Sequence, residues 1–203
     1  MSNAVHRLVE QRASTEPDAV AIADGARVTT YRELNQRANS LARRLCESGL
    51  TRGSLALVRM PRSTDLAVVL LAALKAGACY AWIEPGSPDD VKLPAGFCVL
   101  RKRSDEEERY LALDIEDALR GAASRPGPNL PVLTRGAEVA CVLPDVNGRP
   151  HVLVPHATIA ALPRTRTLRQ RWEGCAGAFD LWVALMSGIT LSLDVEAPAT
   201  AAA

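Results

Sequence analysis

Apolar positions along the first ninety residues alternate between helical spacing and short continuous runs. Val5, Leu8, Val9 and Ala13 recur at i, i+3, i+4 and i+8, which predicts an amphipathic helix that Pro17 ends. Ala19 to Ala23 then predicts a short strand, Asp24-Gly25 a turn, and Arg27 to Thr29 the returning strand. Thr30-Tyr31-Arg32-Glu33 has the form of a capping box, in which a Thr hydroxyl and a Glu carboxylate each satisfy a backbone N–H at a helix start. Behind it Leu34, Ala38, Leu41, Ala42 and Leu45 share one helical face, and Gly49 stands where a left-handed C-terminal cap belongs.

The next unit repeats this logic. Leu55 to Met60 predicts a buried strand and Ser63 or Thr64 the cap of a helix through Leu66, Val69, Leu70, Ala73 and Leu74. The helix closes at Gly77, and Cys79 to Ile83 forms the next strand, stopped by Glu84-Pro85-Gly86-Ser87-Pro88. Strand, helix and strand in about 30 residues make a βαβ unit, and therefore an α/β fold.

Further on, Cys98 to Leu100 and Tyr110 to Ile115 suit strands, and Glu116 to Ala123 a short helix, while Arg101 to Arg109 is a charged, solvated stretch. Ser124 to Pro131 is turn-rich and marks the expected subdomain boundary. Strands are expected at Glu138 to Leu143, His151 to Val154 and Ile189 to Leu193, with helices from His156 and over Leu181 to Met186. The expected organisation is a first α/β subdomain over 1–123, a linker over 124–131, a partial second subdomain over 132–194 and a disordered tail over 195–203.

Composition narrows the function classes. With 203 residues, 48% hydrophobic and 23% charged, the chain is globular. Its 24 basic and 23 acidic residues balance to +1, which argues against partners that require a basic field, nucleic acid and anionic membranes alike. The five cysteines form no C-x-x-C pair and the three histidines no H-E-x-x-H, so neither a disulfide framework nor a metal site is expected. The apolar run Leu66 to Leu74 is far short of the roughly 20 residues that span a bilayer. Met1 to Ala4 lacks the character of a signal peptide, and a cytoplasmic location is the expectation.

Two segments carry a family resemblance. Val28-Thr29-Thr30-Tyr31-Arg32-Glu33-Leu34 resembles the first core motif of the adenylation domains of nonribosomal peptide synthetases. Leu74-Lys75-Ala76-Gly77-Ala78-Cys79-Tyr80, followed by Trp82-Ile83-Glu84-Pro85, resembles their second, and the text between is similar throughout residues 5 to 90. The family belongs to the adenylate-forming superfamily of AMP-dependent synthetases and ligases. The resemblance implies the N-terminal portion of that fold: a mostly parallel sheet flanked by helices, with a second, partial sheet layer. It also implies the family chemistry, amino acid plus ATP and magnesium to an aminoacyl adenylate.

The second half matches with gaps. Where the family carries a Ser/Thr/Gly-rich phosphate loop ending in Gly-x-Pro-Lys-Gly, followed by Val-Pro-His, this chain reads Pro144-Asp145-Val146-Asn147-Gly148-Arg149-Pro150-His151, then Val154-Pro155-His156. The hydroxyls and the Lys are missing and the loop is shorter. Pro144 has no N–H, and Asp145 places a negative charge where a triphosphate would lie. Two readings stand: a tight hairpin turn tipped by Asn147-Gly148, or a remnant phosphate loop in which Asp145, Asn147, Gly148, Arg149 and His151 line the nucleotide. Phe179-Asp180-Leu181-Trp182 resembles the family's fourth motif, whose Asp binds the substrate's α-ammonium. Asp180 is either that residue or a carboxylate at a helix N-cap or first turn.

The motifs that follow in the family, those for adenine and ribose, the hinge and the catalytic Lys, have no counterpart here. The expectation is an adenylation-domain relative without catalysis of its own and without a bound cofactor, serving as a scaffold or interaction component in natural-product biosynthesis. The alternatives are half of a split amino-acid-activating enzyme, or a nucleotide- or small-molecule-binding module. An uncovered sheet edge predicts self-association or a pathway partner such as a peptide synthetase or carrier protein. Cys141, Cys175, Trp172 and Trp182 belong either to that face or to ordinary core packing. Arg164, Arg166, Arg169 and Arg171 suit a solvated helix face or contact with an acidic carrier protein.

Overall fold

A computed structural model describes residues 4–86, 97–102, 109–114, 118–120, 127–131, 134–144, 150–162, 169–171 and 178–193. Helix α1 (Val5–Thr15) is followed by strands β1 (Val20–Asp24) and β2 (Arg27–Thr30) and helix α2 (Tyr31–Glu47). The βαβ unit is β3 (Leu55–Arg59), α3 (Thr64–Lys75) and β4 (Cys79–Ile83). Then come β5 (Phe97–Lys102), β6 (Arg109–Asp114), β7 (Val139–Pro144), β8 (Pro150–Pro155), α4 (His156–Ala160), β9 (Arg169–Arg171), α5 (Phe179–Ser187) and β10 (Thr190–Ser192).

The local signals explain the elements. Thr30 caps α2 by accepting from the Glu33 N–H at 3.2 Å while Glu33 Oε2 accepts from the Thr30 N–H at 2.8 Å, a complete capping box. Ser63, rather than Thr64, caps α3 through the Leu66 N–H. Gly49 and Gly77 follow α2 and α3 at φ of +94° and +81°, a conformation glycine adopts without steric cost. Every residue of α3 except Asp65 is buried, in keeping with a helix apolar nearly all round.

Two sheets result, in the orders β2-β1-β10-β9 and β6-β5-β3-β4-β7-β8. Parallel pairs form the centre of the larger sheet (β3 with β4, β4 with β7) and one side of the smaller (β1 with β10, β10 with β9). Antiparallel pairs flank them, so both sheets are mixed. Helix α3 packs on β4, α2 packs on α3 and on β1, and α5 packs on β9 and β10, so the helices bridge the two sheets. The core runs continuously through them, from Ile22 and Tyr31 through Leu66 to Leu74 and on to Trp182 and Leu185. The α/β class read from the sequence is the one observed.

Strands from both sides of the Pro/Gly-rich segment share each sheet. Residues 127–131 are themselves strapped to the helices. Asn39 donates to the Gly127 carbonyl at 2.9 Å, Arg43 to that of Pro128, and Arg7 to that of Leu130 at 3.4 Å. The Asn129 side-chain carbonyl accepts from Asn35 and Asn39 at 3.0 Å each and from Lys75 at 3.3 Å. A Cβ on Gly127 would come within 2.6 Å of the Arg43 guanidinium, the far end of a long side chain that would have to shift to make room.

One expectation is corrected here. Arg169 and Arg171 lie in a strand, paired in parallel with β10, and not on a helix. Their i, i+2 spacing matches the two-residue period of a strand. Arg164 and Arg166, Trp172 and Cys175, and the tail 195–203 lie outside the described residues. Cys141 and Trp182 are core residues.

Candidate functional site at the carboxyl ends of the strands

Strands β3, β4 and β7 run parallel, so their carboxyl ends open on one edge, where open α/β sheets place their ligands. Three connections leave that edge: Met60 to Ser63 after β3, Glu84 to Gly86 after β4, and 145–149 after β7. The first two are tied together. The Trp82 indole N–H donates to the Met60 carbonyl at 2.9 Å, and Arg62 donates to Glu84 at 2.9 Å in a half-buried ion pair.

The third connection belongs to the β7–β8 hairpin. Leu143 pairs with Val152 and Pro144 with Pro150, so β8 carries one extra residue at the base of the turn. That extra residue is His151, which therefore sits at a β-bulge. Five residues separate the two prolines, and neither proline has an N–H to offer an anion. Asp145, Asn147, Gly148 and Arg149 lie outside the described residues, and His151 is placed by its backbone alone.

Asp180 sits in the first turn of α5, where a carboxylate complements the helix dipole. The N-cap is Ala178, held in the left-handed region at φ 59° and without a side-chain cap. Two residues on, the Trp182 indole N–H donates to the Tyr80 hydroxyl at 2.6 Å, which fixes α5 against β4. Tyr80 pairs with Cys141, three residues before the end of β7, so this anchor lies about 10 Å along the strands from the start of the turn. Burial drives the Tyr80 hydroxyl well above its ordinary pKa and the Cys141 thiol up to about 12. Neither group ionises near neutrality, which makes this a packing contact and not a nucleophile.

Three polar arrangements had no place in the sequence reading. Besides Arg62–Glu84, these are the buried ion pair Glu10–Lys75 and the contact of His6 with His156. Lys75 and Glu84 lie inside the motif that carries the resemblance, and Glu10 occupies the inward face of α1; a charge on an otherwise apolar face was the available signal. Among the described residues no three His, Cys, Asp or Glu side chains are grouped to hold a metal ion. None of the described helices is long and apolar enough to cross a membrane.

The AMP-binding enzyme family model matches residues 9–91. Surfactin synthase subunit 2 of Bacillus subtilis is 30% identical over 211 residues, covering 93% of this chain and 6% of that protein. Malpibaldin synthetase of Mortierella alpina is 44% identical over 91 residues, covering 45% of this chain and 2% of that protein. Among solved structures, the N-terminal subdomain of NpsA from Klebsiella oxytoca is 25% identical with a TM-score of 0.75, covering 94% of this chain and 55% of that one. The chain thus spans a few per cent of those synthetases and just over half of that subdomain.

Proposed function

The chain belongs to the AMP-binding enzymes, as part of an adenylation domain of the nonribosomal peptide synthetase kind, and from that membership we propose a protein-interaction role without amino-acid activation of its own. It serves nonribosomal peptide or related natural-product biosynthesis as a scaffold. The β7–β8 hairpin carries this reading. Its turn is pinched between Pro144 and Pro150, and its outer strand is a sheet edge with Val152 and Leu153 at 51% and 63% exposure.

The residues at the carboxyl edge do not fit a magnesium-bound triphosphate. In-line displacement at phosphorus needs donors and cations aimed at the β- and γ-phosphates. Here Pro144 offers no N–H, the motif's Lys and hydroxyls are missing from the sequence, and Arg62 at the neighbouring connection is engaged by Glu84.

Adjacent strand residues point to opposite faces, so exposure at both Val152 and Leu153 leaves each face open at that point of β8 among the described residues, while Val154 is buried in the core. Such an edge pairs with a second copy or with a pathway protein. Sedimentation of the isolated chain tests this: concentration-dependent association, or a stable complex with a purified synthetase or carrier protein, is expected. A strict monomer that binds neither contradicts it.

A further inference from the structure

His6 of α1 and His156 of α4, 150 positions apart in the sequence, meet inside the protein. The Val5 backbone N–H donates to His156 Nδ1 at 3.2 Å, so that nitrogen carries no proton. The two rings pack edge to face with centroids 5.8 Å apart. Each residue is 1% exposed, and neither ring nitrogen of His6 has a hydrogen-bond partner among the described residues. An imidazole so placed is tolerated as a neutral ring and opposed as a cation.

We propose that this pair is a proton-sensitive latch, holding α1 on α4 while both rings are neutral and releasing α1 when they take up protons. Helix α1 rests on α2, α3, α4 and α5, and none of its backbone is part of a sheet, so it can leave without breaking a β-ladder.

The surrounding charges favour release. Burial holds His6 down at about 3, reinforced by His156, by Lys75 of α3 and by Arg7 of α1. Burial holds His156 down at about 4, against which Glu138 ahead of β7 acts in the opposite sense. Glu10 of α1 is turned to Lys75 and Arg7, and Asp180 of α5 is not among the charges acting on either ring. With folded values below the unfolded 6.5, the neutral pair contributes fully above about pH 6.5, and that contribution is lost as pH falls toward 4 and then 3. A ring that regains its ordinary value on opening makes the open state roughly 25-fold more populated at pH 5 than at pH 7, and two such rings several hundredfold.

Hydrogen exchange of the full chain at pH 7 and pH 5, corrected for intrinsic rates, tests the latch. Protection of α1 is expected to fall by about 25-fold or more, while β3 and β4 keep theirs. A chain carrying His6→Leu and His156→Asn, whose amide oxygen still accepts from Val5, is expected to keep α1 protected at pH 5. The latch is wrong if α1 protection is equal at the two pH values, if β3 and β4 open together with α1, or if the double variant loses α1 as the unmodified chain does.

Discussion

Lys75 Nζ lies 2.5 Å from Glu10 Oε1, with the lysine side chain fully buried and the glutamate 6% exposed, so α3 and α1 are joined by an ion pair inside the helix layer. Lys75 also donates to Asn129 Oδ1, the Arg7 guanidinium donates to Glu10, and Arg43 lies near enough to act on Lys75. Isolating either charge there leaves the other uncompensated in a low-dielectric setting. Glu10→Ala is expected to cost about 3–5 kcal/mol in urea unfolding, whereas the paired change Glu10→Leu with Lys75→Met restores most of it.

The same pair sets a response to alkali. Burial outweighs Glu10 and holds Lys75 down at about 8, below its ordinary 10.5. Between those values the unfolded chain binds a proton that the folded chain does not, so this group's contribution to stability rises with pH. Unfolding free energies from pH 8 to 10.5 should climb for the unmodified chain relative to Lys75→Met. Parallel profiles would refute the assignment.

At the Trp182–Tyr80 contact the donor is buried and its acceptor is the tyrosine hydroxyl. Tyr80→Phe keeps the ring and strands the indole N–H, at an expected cost of about 1–3 kcal/mol. Fluorescence-detected unfolding measures it, and a cost near zero would mean the indole is satisfied elsewhere.

Much of the fold was legible because local and tertiary signals agree. The Thr30–Glu33 box, Gly49, Gly77 and the apolar runs of β3, α3 and β4 each name their own conformation, and they lie in the stretch that carries the family resemblance. Pairing order was not legible. That β10 joins β1 across 170 residues follows from packing of α5 and not from any local residue. The bulge at His151 was also hidden, since bulges arise from register between two strands. Arg169 and Arg171 show the opposite failure: their two-residue spacing was visible but was outweighed by the helical reading of their surroundings. At the candidate site, Asp180 was placed on the right helix, while Arg62–Glu84 escaped notice because only the parallel alignment of β3 and β4 brings them together.

The uncovered β8 edge gives a surface prediction. Leu153→Lys, or Val152→Lys on the opposite face, is expected to weaken association in light scattering while changing stability within about 0.5 kcal/mol, as for other exposed sites. Association unchanged by both substitutions would place the interface elsewhere.

The proposed absence of amino-acid activation rests on the sequence of the turn after β7, which lacks the hydroxyls and the Lys of the family loop and carries Pro144 and Asp145 instead. ATP–pyrophosphate exchange by the isolated chain, assayed with magnesium over the twenty amino acids and simple aryl acids, measures this directly. Exchange at the level of a protein-free control is the predicted result; amino-acid-dependent exchange above it would contradict the account.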